Sequence, residues 1–186
     1  MKRCLWIIVA LVAALTTPSW AQQRQLRVLV LHDMEGLSGE DDWREFIASY
    51  PDLYAKGRQL LTDDVNAVIA GLVAGGATSI DIVDGHGSGN PDPDLLLDKL
   101  DSHAKMVSRD RPFDPYVDLV APDVYEAVVL VGMHAKAGSK GFASHSSTIG
   151  MEPWMNGSLL SEPEMNGYSW GRVGVPVIFV SGDDRL

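Results

Sequence analysis

Apolar residues in this chain gather into short runs, and each run closes on a polar stretch that contains glycine. Leu26 to Leu31 (LRVLVL), Ile80 to Val83 (IDIV), Val128 to Val131 (VVLV) and Val175 to Val180 (VPVIFV) are rich in β-branched residues and too short for ordinary helices. They predict four buried strands. Between the first two the period changes. From Tyr54 to Ala74, Leu60, Leu61, Val65, Val68, Ile69, Leu72 and Val73 return at near-helical spacing, with Thr62, Asp63 and Asp64 on the expected solvent face. This predicts a helix that Gly75 and Gly76 bring to an end. A second helix is expected from Asp94 to Leu100, with Pro93 in its first turn. Strands separated by helical segments predict an α/β fold, a mostly parallel sheet with flanking helices.

The segments that follow the strands carry the candidate chemistry. The first strand runs into HDMEGLSGEDD, the second into DGHGSG, the third into GMHAKAG and the fourth into SGDD. Open α/β sheets bind ligands beyond the carboxyl ends of their strands. Asp33, Glu35, His86 and His134 all fall within four residues of a predicted strand end. Four distant parts of the chain are therefore expected to meet at one edge of the sheet.

Taken singly, these residues have ordinary readings. Most acids are solvated, and a lone histidine after a strand is more often a hydrogen-bonded buried group than a ligand. Together they say more. Asp33 and Glu35 are two apart, so an extended backbone points both carboxylates the same way. Such a pair repels unless a cation or a proton lies between them. His86 has glycine on both sides and Asp84 two residues earlier. Glu162 and Glu164 share the segment LLSEPEMNG, and spacing alone does not choose between them. His145, in FASHSST, lies eleven residues beyond His134. It is a candidate ligand, general acid or base, or nucleophile. Asp183 and Asp184 also follow a strand. His103 and His32 are expected to play no part, His32 because it should face away from Asp33. HExxH, G-x-S-x-G, P-loop and GxGxxG motifs are absent from the sequence. Carboxylates and imidazoles in these numbers suit Zn²⁺ or a similar divalent ion, and the density of acids favours two ions over one.

Composition limits the alternatives. The chain has 186 residues, 46% hydrophobic and 22% charged, which is ordinary for one soluble globular domain. Its first residues read as an export signal. Lys2 and Arg3 precede the apolar run Leu5 to Leu15, and Pro18, Ser19, Trp20 and Ala21 follow. The run is shorter than the roughly 20 residues a spanning helix needs, so cleavage after Ala21 is expected rather than an anchor. Residues 22–186 would then form the catalytic domain, in the periplasm or outside the cell, with no stable membrane association. Cleavage removes Lys2 and Arg3 but no acid, taking the net charge of −10 to −12. So acidic a chain is a poor partner for nucleic acid or anionic lipid. Cys4, the only cysteine, would leave with the signal, so any metal must be held by His, Asp and Glu.

Five ordered blocks carry a resemblance. DMEGLSG at 33–39, DGH at 84–86, GMHAKA at 132–137, SHS at 144–146 and VPVIFVSGDD at 175–184 resemble the D-aminopeptidase family of the bacterial dipeptide-transport operon. The likeness runs from Leu26 to the end of the sequence. It implies a zinc aminopeptidase with a dinuclear site that removes N-terminal D-amino acids from short peptides. It further implies Asp33, Glu35, His86, His134 and Glu162 as ligands, with Glu164 as the fallback, and His145 as nucleophile or catalytic base. Family members continue into a second, smaller domain and form rings of subunits, a homo-oligomer. This sequence stops at Leu186, before that domain. Export, which is not expected of the family, points to D-alanine-containing peptides of cell-wall origin. Two other functions fit the residues: a non-catalytic periplasmic module that binds metal or peptide, and a metal-dependent phosphoesterase.

Overall fold

The computed structural model describes residues 25–107, 114 and 116–186, so the expected signal at 1–21 lies outside the described residues. All four expected strands are present. They are β1 (Arg27–His32), β2 (Ser79–Asp84), β4 (Ala127–Met133) and β7 (Val177–Gly182). A short strand that apolar patterning does not single out, β3 (Ala104–Met106), joins them. The sheet order is β3-β2-β1-β4-β7, and every neighbouring pair is parallel. β7 begins later than expected because Pro176 has no N–H to give the ladder; its carbonyl instead accepts the Val128 N–H.

Both faces of the sheet are covered, which is why β1 and β4 at its centre are apolar without alternation, while β2 keeps Asp81 between Ile80 and Ile82. On one face Val28, Val30, Ile80, Ile82, Val129 and Val131 pack against Leu61, Val65 and Ile69 of helix α1 (Pro51–Ala74). On the other, Leu29, Leu31, Val128 and Leu130 pack with Trp170 of helix α2 (Glu162–Gly171). β7, on the sheet edge, keeps Ile178, Phe179 and Val180 exposed. A small antiparallel hairpin, β5 (Trp154–Met155) and β6 (Ser158–Leu159), turns through Asn156 and Gly157, both at positive φ as a two-residue hairpin turn requires. Among the described residues, no helix is long and apolar enough to cross a membrane.

Two expectations need correction. Thr62 is buried, not solvent-facing: its hydroxyl donates to the Arg58 carbonyl and accepts the Leu96 N–H. Asp64 accepts the Ser38 N–H, which leaves Asp63 as the exposed member of the three. The helix expected at Asp94–Leu100 does not form; that segment is a series of turns. The guanidinium of Arg58 reaches across from α1 and takes the carbonyls of Pro93, Asp94 and Leu95. Those carbonyls are the ones a new helix would need for its first turn. The same contact anchors the 84–96 loop, on which His86 sits.

Candidate metal centre

The ladder between β1 and β4 does not stop at His32. The Asp33 N–H donates to Val131 O at 2.8 Å and the Glu35 N–H to Gly132 O at 3.2 Å. The chain then bends at residues 34–36, so that Asp33 and Glu35 both reach the histidines while Met34 goes into the core. Two glycines permit this close approach. Gly132 has φ +73°, and a Cβ there would lie 2.5 Å from the Asp33 carbonyl oxygen. A Cβ on Gly36 would lie 2.2 Å from the carbonyl oxygen of Met133. Gly132→Ala should therefore cost about 2–4 kcal/mol, combining left-handed strain with a backbone overlap. Thermal unfolding should show a fall in Tm of roughly 5–15 °C; an unchanged Tm would mean the strand absorbs the methyl group.

Each of three imidazoles gives one ring nitrogen to a backbone carbonyl and turns the other toward the acids. His86 Nε2 is 2.8 Å from Phe46 O, and its Nδ1 is 2.9 Å from Asp33 Oδ1 and 3.9 Å from Glu35 Oε2. His134 Nδ1 is 3.0 Å from Ala135 O. Its Nε2 is 2.9 Å from Glu162 Oε1, 3.7 Å from Asp33 Oδ2 and 3.8 Å from Glu35 Oε2. His145 Nδ1 is 2.7 Å from Ala143 O, and its Nε2 is 3.4 Å from Glu35 Oε2. The His145 ring stacks on His134 with centroids 3.7 Å apart and planes at 15°. A ring N–H tied to a carbonyl fixes tautomer and orientation, as it does for histidines that bind metals. The donor atoms form three overlapping groups: Asp33–Glu35–His86, Asp33–His134–Glu162 and Glu35–His134–His145, each with its atoms within 4.8 Å of one another.

The electrostatics follow from that crowding. Burial pushes the Asp33 carboxyl up, but the His86 hydrogen bond and the charges of His86 and His134 outweigh it and hold it below its usual value. For Glu35, burial and the Asp33 charge prevail and push it up to about 8. Burial works to lower His86 and His134, yet their carboxylate partners raise them to about 10 and about 9. Glu162, raised by burial but hydrogen-bonded to His134, stays below its usual value. Two carboxylates about 4 Å apart in such a site repel by roughly 4 kcal/mol. Without a cation, protons must carry the compensating charge; a divalent ion would take their place.

Glu162 enters the site through the start of α2. Ser161 caps that helix in a capping box with Glu164, and Pro163 follows in its first turn. The arrangement separates the two glutamates. Glu164 turns back to the Ser161 N–H at 2.7 Å, while Glu162 reaches His134 and accepts the Ser147 N–H at 2.6 Å. The S-x-x-E signature with proline inside it was a readable sign of this helix start. Tyr116, which no sequence signal marks, donates its hydroxyl to Glu162 Oε2 at 2.5 Å.

The remaining candidates lie elsewhere. The Asp183 carboxylate accepts the N–H groups of Phe142 and Arg185, and so holds the loop before His145. Asp184 is exposed. His103 is exposed and paired with Asp101. His32 is fully buried, its ring nitrogens have no hydrogen-bond partner among the described residues, and burial lowers its pKa.

Comparison with known proteins points the same way. A family profile described as D-aminopeptidase matches residues 26–186. The chain is similar to a D-aminopeptidase of Bacillus subtilis (strain 168), 34% identical over 155 residues, which covers 82% of this chain and 54% of that protein. It is also similar to the solved structure of the Zn-dependent D-aminopeptidase DppA from Bacillus subtilis, described as a self-compartmentalizing protease. That likeness has a TM-score of 0.75 and 32% identity, and covers 86% of this chain and 57% of the other. The chain thus spans about half the length of the relatives it matches.

Proposed function

The chain belongs to the D-aminopeptidase family, and from that premise we propose that it is a zinc-dependent aminopeptidase acting on short peptides with an N-terminal D-amino acid. The observation that carries the reading is the convergence of three imidazole nitrogens and three carboxylates at the carboxyl end of a parallel sheet. The residues fit a metal, because each imidazole is already oriented by a carbonyl behind it and its other nitrogen faces acids. Asp33, Glu35, His86, His134 and Glu162 are the proposed ligands. The two oxygens of Asp33 face different histidines, His86 and His134, so the donor set would suit two ions. Zinc, when bound, would supply a Lewis acid for the scissile carbonyl and a more acidic water.

The chain's own groups do the rest. His145 has its Nδ1 tied to Ala143 O, so Nε2 is the atom free to hold a proton and pass it to the departing amine, or to attack. Ser147 and His134 keep Glu162 turned inward. We further propose export to the periplasm or beyond, on the strength of residues 1–21, and assembly of several copies.

Zinc analysis of the purified protein, with hydrolysis of D- and L-alanyl anilides measured in parallel, tests the reading. Copurifying zinc and a clear preference for the D-substrate are expected. Binding of a D-alanyl peptide without product would make the chain a binding module. A preference for aryl phosphates over amides would make it a phosphoesterase.

A further inference from the structure

We infer that Tyr116 is a positioning residue of this centre: its phenol fixes the plane of the Glu162 carboxylate, so that one oxygen is offered to the metal and the other stays with Tyr116. The inference rests on reading the cluster as a metal site. Glu162 is divided between two sets of partners. Its Oε1 lies 2.9 Å from His134 Nε2 and accepts the Ser147 N–H at 2.6 Å. Its Oε2 accepts the Tyr116 hydroxyl at 2.5 Å. A carboxylate is acceptor-only, so the phenol must be the donor, and a bond this short to an ionised group is among the stronger kinds.

The terminal torsion of a glutamate is broad and lets its two oxygens exchange. Glu162 on its own would turn its carboxylate plane freely and offer the cluster one oxygen or both. The phenol removes that freedom from the side away from His134. It comes from a different part of the fold, the segment between β3 and β4, and it is itself held: the Tyr116 N–H donates to Asp114 Oδ1 at 2.8 Å. Glu162 is thus clamped from α2, from the His145 loop and from the turn that Tyr116 begins.

Two effects of the phenol oppose each other. Drawing charge onto Oε2 weakens Oε1 as a donor, whereas fixing the carboxylate means that less order is lost when an ion binds. Removal of groups that orient metal ligands typically weakens metal binding by about 10–100-fold, so orientation outweighs donor strength.

Tyr116→Phe removes one oxygen and keeps the ring. Zinc binding is read by competition with a chromophoric chelator, and the zinc dissociation constant should rise about 10–100-fold. The metal-free protein should stay folded, with its melting temperature lower by a few degrees, since a hydrogen bond to a charged group is lost. Tyr125→Phe is the control, since the Tyr125 hydroxyl donates to Asp81 at 2.9 Å and Asp81 is in none of the three donor groups. That variant should keep wild-type zinc affinity. Hydrolysis by Tyr116→Phe should return to near the wild-type rate once zinc is saturating. Zinc affinity within about twofold of wild type would overturn the inference, since orientation would then be worth far less than it is for other ligands. So would a rate that stays low at saturating zinc, because the phenol would then be acting on the substrate. A wild-type protein that takes up no zinc overturns the metal reading itself and this inference with it. That outcome is distinct, since it appears before any variant is made.

Discussion

His134→Ala should lose metal and peptide hydrolysis together. His134 Nε2 faces Glu162, Asp33 and Glu35 at once, and it belongs to two of the three donor groups. Its removal leaves an ion short of a ligand in both. Metal assistance contributes several kcal/mol to the transition state, so kcat/KM should fall by at least ~10³-fold. Asp33→Ala should do the same, because Asp33 stands between His86 and His134. Metal analysis of each variant beside its rate is the measurement, and full zinc content with a full rate in both would remove the proposed site. The wild-type protein should also show pH-dependent uptake of the expected sign. In the metal-free protein His86 sits near 10 and His134 near 9, so both are protonated at pH 7 and the ion must displace protons. Zinc affinity should therefore rise as pH climbs from about 6 to about 9.

His145→Ala should keep its zinc and lose about 10²–10⁴-fold in rate, the usual worth of a positioned acid–base group. The geometry makes this a sharp test. His145 Nε2 approaches one carboxylate oxygen, at 3.4 Å, whereas His134 faces three acids. Yet His145 also completes a possible donor group with Glu35 and His134. Metal content decides between the roles. If His145→Ala loses zinc as fully as His134→Ala does, His145 is a ligand and the proton must be handled by another group. Glu164 and Asp183 are then poor substitutes, one engaged in a helix cap and the other in a loop anchor.

Strands and site residues differ in how legible they were, and the reasons are physical. β1 and β4 are covered on both faces, so their sequences hold unbroken apolar runs that stand out from their surroundings, whereas β2 is marked by Ile80, Ile82 and Val83 around Asp81. Asp33, Glu35, His86 and His134 were legible because strand ends are where such sheets put their ligands. α2 escaped notice because little of it is apolar; Asn166 and Trp170 are its buried residues, and its start is marked by capping rather than by period. The absent helix at Asp94–Leu100 failed for a tertiary reason, the grip of Arg58 on its first carbonyls. Thr62 looked polar enough for solvent until that same loop covered it. Tyr116 leaves no trace in local sequence, since its role depends on meeting a residue 46 positions away.

The strand order has a consequence for how the protein folds. β1 at the centre pairs with β2 on one side and with β4 on the other, so its second partner arrives about a hundred residues later in the chain. The proposed ligands run from Asp33 to Glu162, and no two of them come together on a single helix. The unfolded chain therefore has no local trap for zinc, unlike a zinc finger whose ligands are close in sequence. During synthesis the first four can be assembled only after β4 has left the ribosome, and the fifth only once α2 has begun. Zinc cannot act as a nucleus for this fold. Zinc held by the proposed ligands would bind after that long-range pairing, and its expected effect is slower unfolding rather than faster folding.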